Sequence, residues 1–170
     1  MKVRLTNYQE HWQEEFEKEA TFLKSILKNI EIQFEHFGST AVKGMKAKPV
    51  IDMIGIVKCI DDLEPFNDIL LANGYDVAGE WGINGRRLYR KGGENRTHHI
   101  HMYQFDNPHI ERHLVVRDYL RTHPLEVDGY NHVKTVLTSE YDDTREYSKA
   151  KKDYVNELEK RAYKWFLHKD

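Results

Sequence analysis

From Val50 to Val57 the chain reads Val-Ile-Asp-Met-Ile-Gly-Ile-Val, an almost unbroken apolar run rich in β-branched residues. Such a run predicts a strand covered on both faces, because a strand with one wet face alternates polar and apolar positions. One carboxylate, Asp52, lies inside it. Burying an ionised carboxylate costs roughly several kcal/mol unless a cation, a metal or hydrogen bonds compensate. Two accounts of Asp52 therefore stand side by side. Either it pairs with an arginine or caps a turn, or it serves a ligand or metal.

The stretch before it sharpens the question. Ile30 to Phe37 alternates, with Ile30, Ile32, Phe34 and His36 on one side and Glu31, Gln33, Glu35 and Phe37 on the other, which predicts a strand. That strand delivers Gly38-Ser39 at its end, and a loop carrying Lys43, Gly44, Lys46 and Lys48 follows. Small residues let a backbone approach closely, and free N–H groups with a serine hydroxyl hold phosphate oxygens. The plain alternative is a strand-to-loop turn with solvated lysines.

The rest of the chain sets the frame. Its 170 residues fit one domain, 1–170, large enough for a core without staples. A net charge of −2 argues against nucleic acid as a partner. The one cysteine, Cys59, excludes an intramolecular disulfide and fits a reducing compartment. Met1 to Glu10 has no apolar leader segment and no later run approaches a membrane span, so a soluble, cytoplasmic protein is expected.

Thr6 or Asn7 caps an expected first helix, with Trp12, Phe16, Leu23 and Leu27 inward and the acidic run to Glu19 solvated. Asp61 or Asp62 starts a helix with Leu63, Phe66, Ile69 and Leu70 inward, closed by Asn73-Gly74. Gly92-Gly93-Glu94-Asn95 turns a hairpin whose returning strand is Thr97 to Phe105. Asn107-Pro108, His123-Pro124 and Asp142 or Asp143 open three helices in a helical C-terminal half. In the last, Tyr147, Lys151, Tyr154, Leu158, Arg161 and Trp165 recur on one stripe. The fold class is α+β, a small mixed or antiparallel sheet flanked by helices.

Strand periodicity puts His99, His101 and Tyr103 on one face of the returning strand. Two histidines at i and i+2 plus a carboxylate make a possible site for Zn²⁺, Mn²⁺ or Fe²⁺. Histidines that only hydrogen-bond in a polar cleft give the same spacing. Arg86 and Arg87 are candidate anion clamps, or one of them pairs with Glu80 or Glu94.

The stretch Glu35-His36-Phe37-Gly38-Ser39-Thr40, Gly44, Ala47-Lys48-Pro49-Val50-Ile51-Asp52 resembles the bacterial GrpB family. So do Gly82 to Arg87, His98 to His101, His113 to Pro124 and Tyr147 to Lys151, nearly end to end. An apolar residue, Gly-Ser and then an Asp in an apolar strand also resembles the nucleotidyltransferase superfamily. That resemblance implies a nucleotidyltransferase fold and transfer of a nucleoside monophosphate with divalent cations on acidic residues.

On that resemblance Asp52 matches the first acidic position, while the second falls on Ile54, which supplies no oxygen to a hard cation such as Mg²⁺. Three readings follow. Asp52, His99 and His101 hold a divalent metal (Mg, Mn or Zn), with Asp52 and His101 catalytic in nucleotidyl transfer. Alternatively, Gly38, Ser39, Lys48, Arg86 and Arg87 bind a nucleotide or phosphorylated metabolite without transfer. The third is a small His/Asp metal-dependent hydrolase.

Overall fold

The computed structural model describes residues 4–169. Its elements are α1 (His11–Ile26), β1 (Gln33–Phe37), β2 (Ile51–Val57), α2 (Asn67–Ala72), β3 (Tyr75–Gly79), β4 (Arg87–Lys91), β5 (His98–Gln104), α3 (Pro108–Thr122), α4 (Pro124–Glu140) and α5 (Thr144–His168). Short 3-10 turns stand at Ser39–Ala41 and Ile60–Phe66. The five strands form one mixed sheet in the order β1-β2-β5-β4-β3, and the C-terminal half is helical. The pair β2–β5 is parallel and the other three pairs are antiparallel.

The apolar run is covered on both faces, as its composition predicts. Ile51, Met53 and Val57 face Trp12 and Leu23 of α1 and Leu27 just after it, together with Leu63 and Leu70. Ile54 on the opposite face packs with Phe37 and Tyr103 against Ile110 and Leu114 of α3. Gly55 is a packing requirement: a Cβ there would stand 2.1 Å from Met102 Sδ. Behind α3, the residues Val115, Tyr119, Leu120, Val127, Tyr130, Leu158 and Ala162 join α3, α4 and α5 into a second apolar cluster with Val42 and Met45. No helix of the described residues is long and apolar enough to cross a membrane.

Several local expectations hold at the level of single bonds. The Asn107 side chain accepts from His109 N at 2.9 Å and the Asp143 side chain from Arg145 N at 2.8 Å, so each caps its helix. Others are corrected. Thr6 exchanges backbone hydrogen bonds with Ala47, at 2.9 and 3.0 Å, which commits it to an extended bridge. The first helix then starts at His11 without a side-chain cap. The short strand or extended arm that Val3 and Leu5 predict begins, at Val3, outside the described residues. The expected helix from Asp61 begins as a 3-10 turn containing Pro65 and becomes α-helical only at Asn67, because proline has no N–H for an α-helical bond. The strand expected from Ile30 starts at Gln33, after Asn29 at φ 68°. Glu19 is no part of a solvated face: it is 7% exposed and takes Tyr75 and Lys91 as partners.

Candidate functional site

Register decides what surrounds Asp52. It lies opposite Phe37 on β1 and opposite His99 on β5, and its neighbour two positions on, Ile54, lies opposite His101. Asp52, His99 and His101 therefore share a sheet face. Nδ1 of His99 stands 3.7 Å and Nε2 of His101 3.4 Å from Asp52 Oδ1. One ligand atom from each of the three residues falls within 4.8 Å of the others. The Asp52 side chain keeps about a third of its surface exposed, 32%, at the mouth of a cleft.

Burial acts against the Asp52 charge, but the His101 hydrogen bond and the charges of His99, His101 and Lys48 outweigh it and hold the pKa at about 2. Asp52 is thus an ionised carboxylate across the physiological range. Burial lowers the pKa of His99, opposed by Asp52, and that of Lys48, again opposed by Asp52.

Gly38 brings the loop against this carboxylate. It ends β1 at φ 73°, ψ −170°, and Ser39 opens the 3-10 turn directly after it. The end of β1 and the loop from Gly38 to Lys48 are then pinned by the helices. Arg117 Nη1 donates to His36 O at 3.1 Å and Arg121 Nε to Ala41 O at 3.0 Å. Asn131 accepts from Lys46 N and donates to Gly44 O, both at 2.8 Å.

Two lysines from α4 and α5 reach the same place. Lys134, 1% exposed, donates to Ser39 Oγ at 2.6 Å and to Lys46 O at 2.8 Å. Its ammonium also lies 4.1 Å from the Tyr130 ring centre. Burial, then the charges of Lys151 and Lys48, push its pKa well below the usual lysine range. Lys151 falls to about 8 by burial and the charge of Lys48, opposed by Asp52. Ser39, Lys48, Asp52, His99, Lys134 and Lys151 line one chamber of about 120 Å³.

Lys134 and Lys151 are the residues that sequence reasoning misses. The signal was present: Lys151 sits on the inward stripe with Tyr147 and Leu158, and Lys134 lies four residues after Tyr130 and seven after Val127.

The arginines separate. Arg86, 6% exposed, donates from Nε to Glu80 O at 3.2 Å, from Nη2 to Trp81 O at 2.9 Å and from Nη1 to His101 Nδ1 at 3.2 Å. It therefore reaches Asp52 only through His101, on the Asp52 side of the sheet. Guanidinium donates and never accepts. Nδ1 of His101 is then the acceptor, and the neutral ring carries its proton on Nε2, toward Asp52. Arg87 does not come to the site. It lies opposite Met102, on the α1 face, and pairs with Glu64 at 2.8 Å and Asp61 at 3.4 Å.

A family model described as GrpB protein matches residues 2–161. The chain is 42% identical to the UPF0157 protein YqkA of Bacillus subtilis over 96% of its own length, and it spans about half, 48%, of that relative. It is 32% identical to the Glutamate-rich protein GrpB of Alkalihalophilus pseudofirmus, covering 92% of this chain and 93% of that one. The crystal structure of conserved protein GrpB from Enterococcus faecalis superposes with a TM-score of 0.91 at 41% identity, over 97% of this chain and 100% of the other.

Proposed function

This chain belongs to the GrpB protein family, and we propose that it binds a nucleotide or related phosphorylated small molecule at the Asp52 cleft together with a divalent cation, as a nucleotidyltransferase. The observation that carries the reading is the convergence of Asp52, His99 and His101 within 4.8 Å beside a chamber lined by Lys48, Lys134 and Lys151. A carboxylate with two imidazoles suits Zn²⁺, Mn²⁺ or Fe²⁺ better than Mg²⁺. Asp52 and His99 offer ligand atoms as they stand, whereas His101 joins only by giving up its Nε2 proton or its bond from Arg86. Such a cation neutralises phosphate charge and polarises the phosphoryl group. The chain's own residues do the rest: Ser39 and the lysines draw in the phosphates, and His101 holds the Asp52 carboxylate in place.

A second reading, binding without transfer, is favoured by two observations. The position for a second acid is Ile54, fully buried in an apolar cluster with Phe37 and Tyr103. His101 is also poorly disposed as a general base, since its free lone pair is taken by Arg86.

Calorimetric titration of wild type, Asp52→Asn and His99→Ala with Zn²⁺ and Mg²⁺ tests the site. Zn²⁺ binding that weakens at least tenfold in both variants is the expected result, and unchanged affinity in Asp52→Asn overturns the reading. Pyrophosphate release from nucleoside triphosphates with metal separates transfer from binding alone. Phosphate release from phosphate esters without nucleotidyl transfer is the hydrolase outcome.

A further inference from the structure

Trp81 is costly to the fold on two counts. It is 63% exposed, whereas Trp12 is buried and Trp165 half-buried. Its backbone is left-handed, φ 46°, a conformation that among the described residues other than glycine only Asn29 shares. Asparagine adopts that region readily and a bulky side chain does not. Strain of this kind collects at residues that serve a ligand.

The loop that carries Trp81, residues 80–86, is nevertheless firmly held. Glu80 Oε2 accepts from Gly85 N at 2.7 Å, and Ile83 N donates to Glu80 O at 3.1 Å. The Asn107 side chain donates to Asn84 O at 3.2 Å. Arg86 Nη2 donates to Trp81 O at 2.9 Å, and the same guanidinium donates to His101. The loop and the Asp52 cleft thus share one anchor.

Register says where the ring lies. Asp52, His99, Arg90 and Asp76 form one row across β2, β5, β4 and β3, each directly opposite the next. Their side chains therefore rise from the same face of the sheet. The Arg90 guanidinium carbon stands 4.7 Å from the centre of the Trp81 ring, which puts the ring over that face. Two strand spacings, about 10 Å, separate the Arg90 backbone from that of Asp52. The inner face of the ring is committed. Arg90 Nε is buried without a hydrogen-bond partner, and the π surface is the contact that answers it. The outer face is left to solvent on a rigid loop.

We propose that the outer face of Trp81 is a stacking platform for a planar, uncharged heterocyclic ring, and that the ligand of the Asp52 cleft carries such a ring at the end away from its phosphate. The proposal rests on the reading that the cleft takes a phosphorylated ligand. It narrows that class to ligands with a ring of purine size and excludes simple sugar phosphates. Charge selects the ring. Arg90 and Arg96 share the Asp76 carboxylate, at 3.5 and 2.8 Å, so positive charge dominates beneath the indole and a cationic ring is repelled. Size selects it further, because a two-ring base covers an indole more fully than a one-ring base.

The test uses the full chain with Mn²⁺ and two probes that differ in the ring alone, adenosine monophosphate and ribose phosphate. By calorimetry the adenosine compound should bind at least tenfold tighter, and it should quench tryptophan fluorescence. In Trp81→Phe the quench should vanish while affinity stays within about threefold, because a smaller platform remains. Trp81→Asn places in the left-handed position a residue that adopts it. There, affinity for adenosine monophosphate should fall at least tenfold and affinity for ribose phosphate should not change, which shows the cleft intact. Wild-type affinity for adenosine monophosphate in Trp81→Asn, or a quench that survives in Trp81→Phe, overturns the platform. Equal loss of both probes in Trp81→Asn overturns it too, since Trp81 then shapes the cleft rather than the ring's seat. If the two probes bind the wild type equally, the platform falls and the phosphorylated-ligand reading stands. If neither binds, both fall.

Discussion

Gly38 faces Asp52 at a position where no side chain fits: a Cβ on Gly38 would stand 2.9 Å from Asp52 Oδ2. The backbone at Gly38, φ 73° and ψ −170°, lies in a region that only glycine adopts readily. Close approach and backbone strain therefore coincide at one residue. The Gly38→Ala variant should lose about 2–4 kcal/mol of stability, which for a chain of this size lowers the melting temperature by about 5–10 °C. Its methyl group also pushes the carboxylate out of line with His99 and His101, so Zn²⁺ affinity should drop more than tenfold. A variant with wild-type melting and metal affinity would show that the contact is relaxed easily.

Arg86 fixes the proton on His101. With Nδ1 accepting from Arg86 Nη1 at 3.2 Å, the neutral ring is the Nε2–H form and donates to Asp52 Oδ1 at 3.4 Å. Long-range ¹H–¹⁵N NMR of the metal-free protein should therefore show an unprotonated Nδ1 at His101. In Arg86→Met that preference should be lost. The variant also leaves the carbonyls of Glu80 and Trp81 without their donor, at about 2–4 kcal/mol in total. A protonated Nδ1 in the wild type would refute the arrangement.

Acid should unfold this protein partly through His36. Its ring stacks on Phe16 at 5.0 Å and bonds Thr40 Oγ1 and Gln13 Oε1. Burial, then the nearby Arg121 and Arg117, hold its pKa at about 4 against the pull of Asp52. Between pH 6.5 and 4 the unfolded chain binds a proton there that the native chain does not. Stability is complete above 6.5 and falls as pH drops, by about 3 kcal/mol in total from this residue. His113, lowered to about 2 by burial and Arg112, adds to the same direction. Urea titrations at pH 7.5, 6, 5 and 4 on wild type and His36→Gln should give a shallower pH dependence in the variant. Parallel curves would remove His36 from the account.

The centre of the sheet has no room at Gly55. A Cβ would fall 2.1 Å from Met102 Sδ and 3.0 Å from Phe34. Gly55→Ala should cost about 1–3 kcal/mol through overpacking, with Met102 moving aside. The double change Gly55→Ala with Met102→Ala should recover part of it, measured as a non-additive cycle of unfolding free energies. Strict additivity would place the strain elsewhere.

The sequence by itself determined the local pieces. The apolar run around Asp52 specified β2 as covered on both faces, the alternation before Phe37 specified β1, and Asn107 and Asp143 marked helix starts, because periodicity and capping act over a few residues. The same short-range logic put His99 and His101 on one face and marked Asp52 as a carboxylate that packing alone does not explain. Only the tertiary structure decided which pieces meet. Parallel pairing of β2 with β5 sets Asp52 opposite His99, 47 positions on, and no local pattern encodes so distant a partner. Arg86 and Arg87 are neighbours in sequence, yet the pleat sends one to His101 and the other to Glu64 and Asp61 on the opposite face. Lys134 reaches Ser39 across 95 positions. A lysine on an amphipathic helix has a long stem, and its sequence alone does not say whether the ammonium ends in water or in the core. Packing of α4 and α5 against the loop after Gly38 turned two such lysines inward, and that is what gives the Asp52 cleft its positive wall.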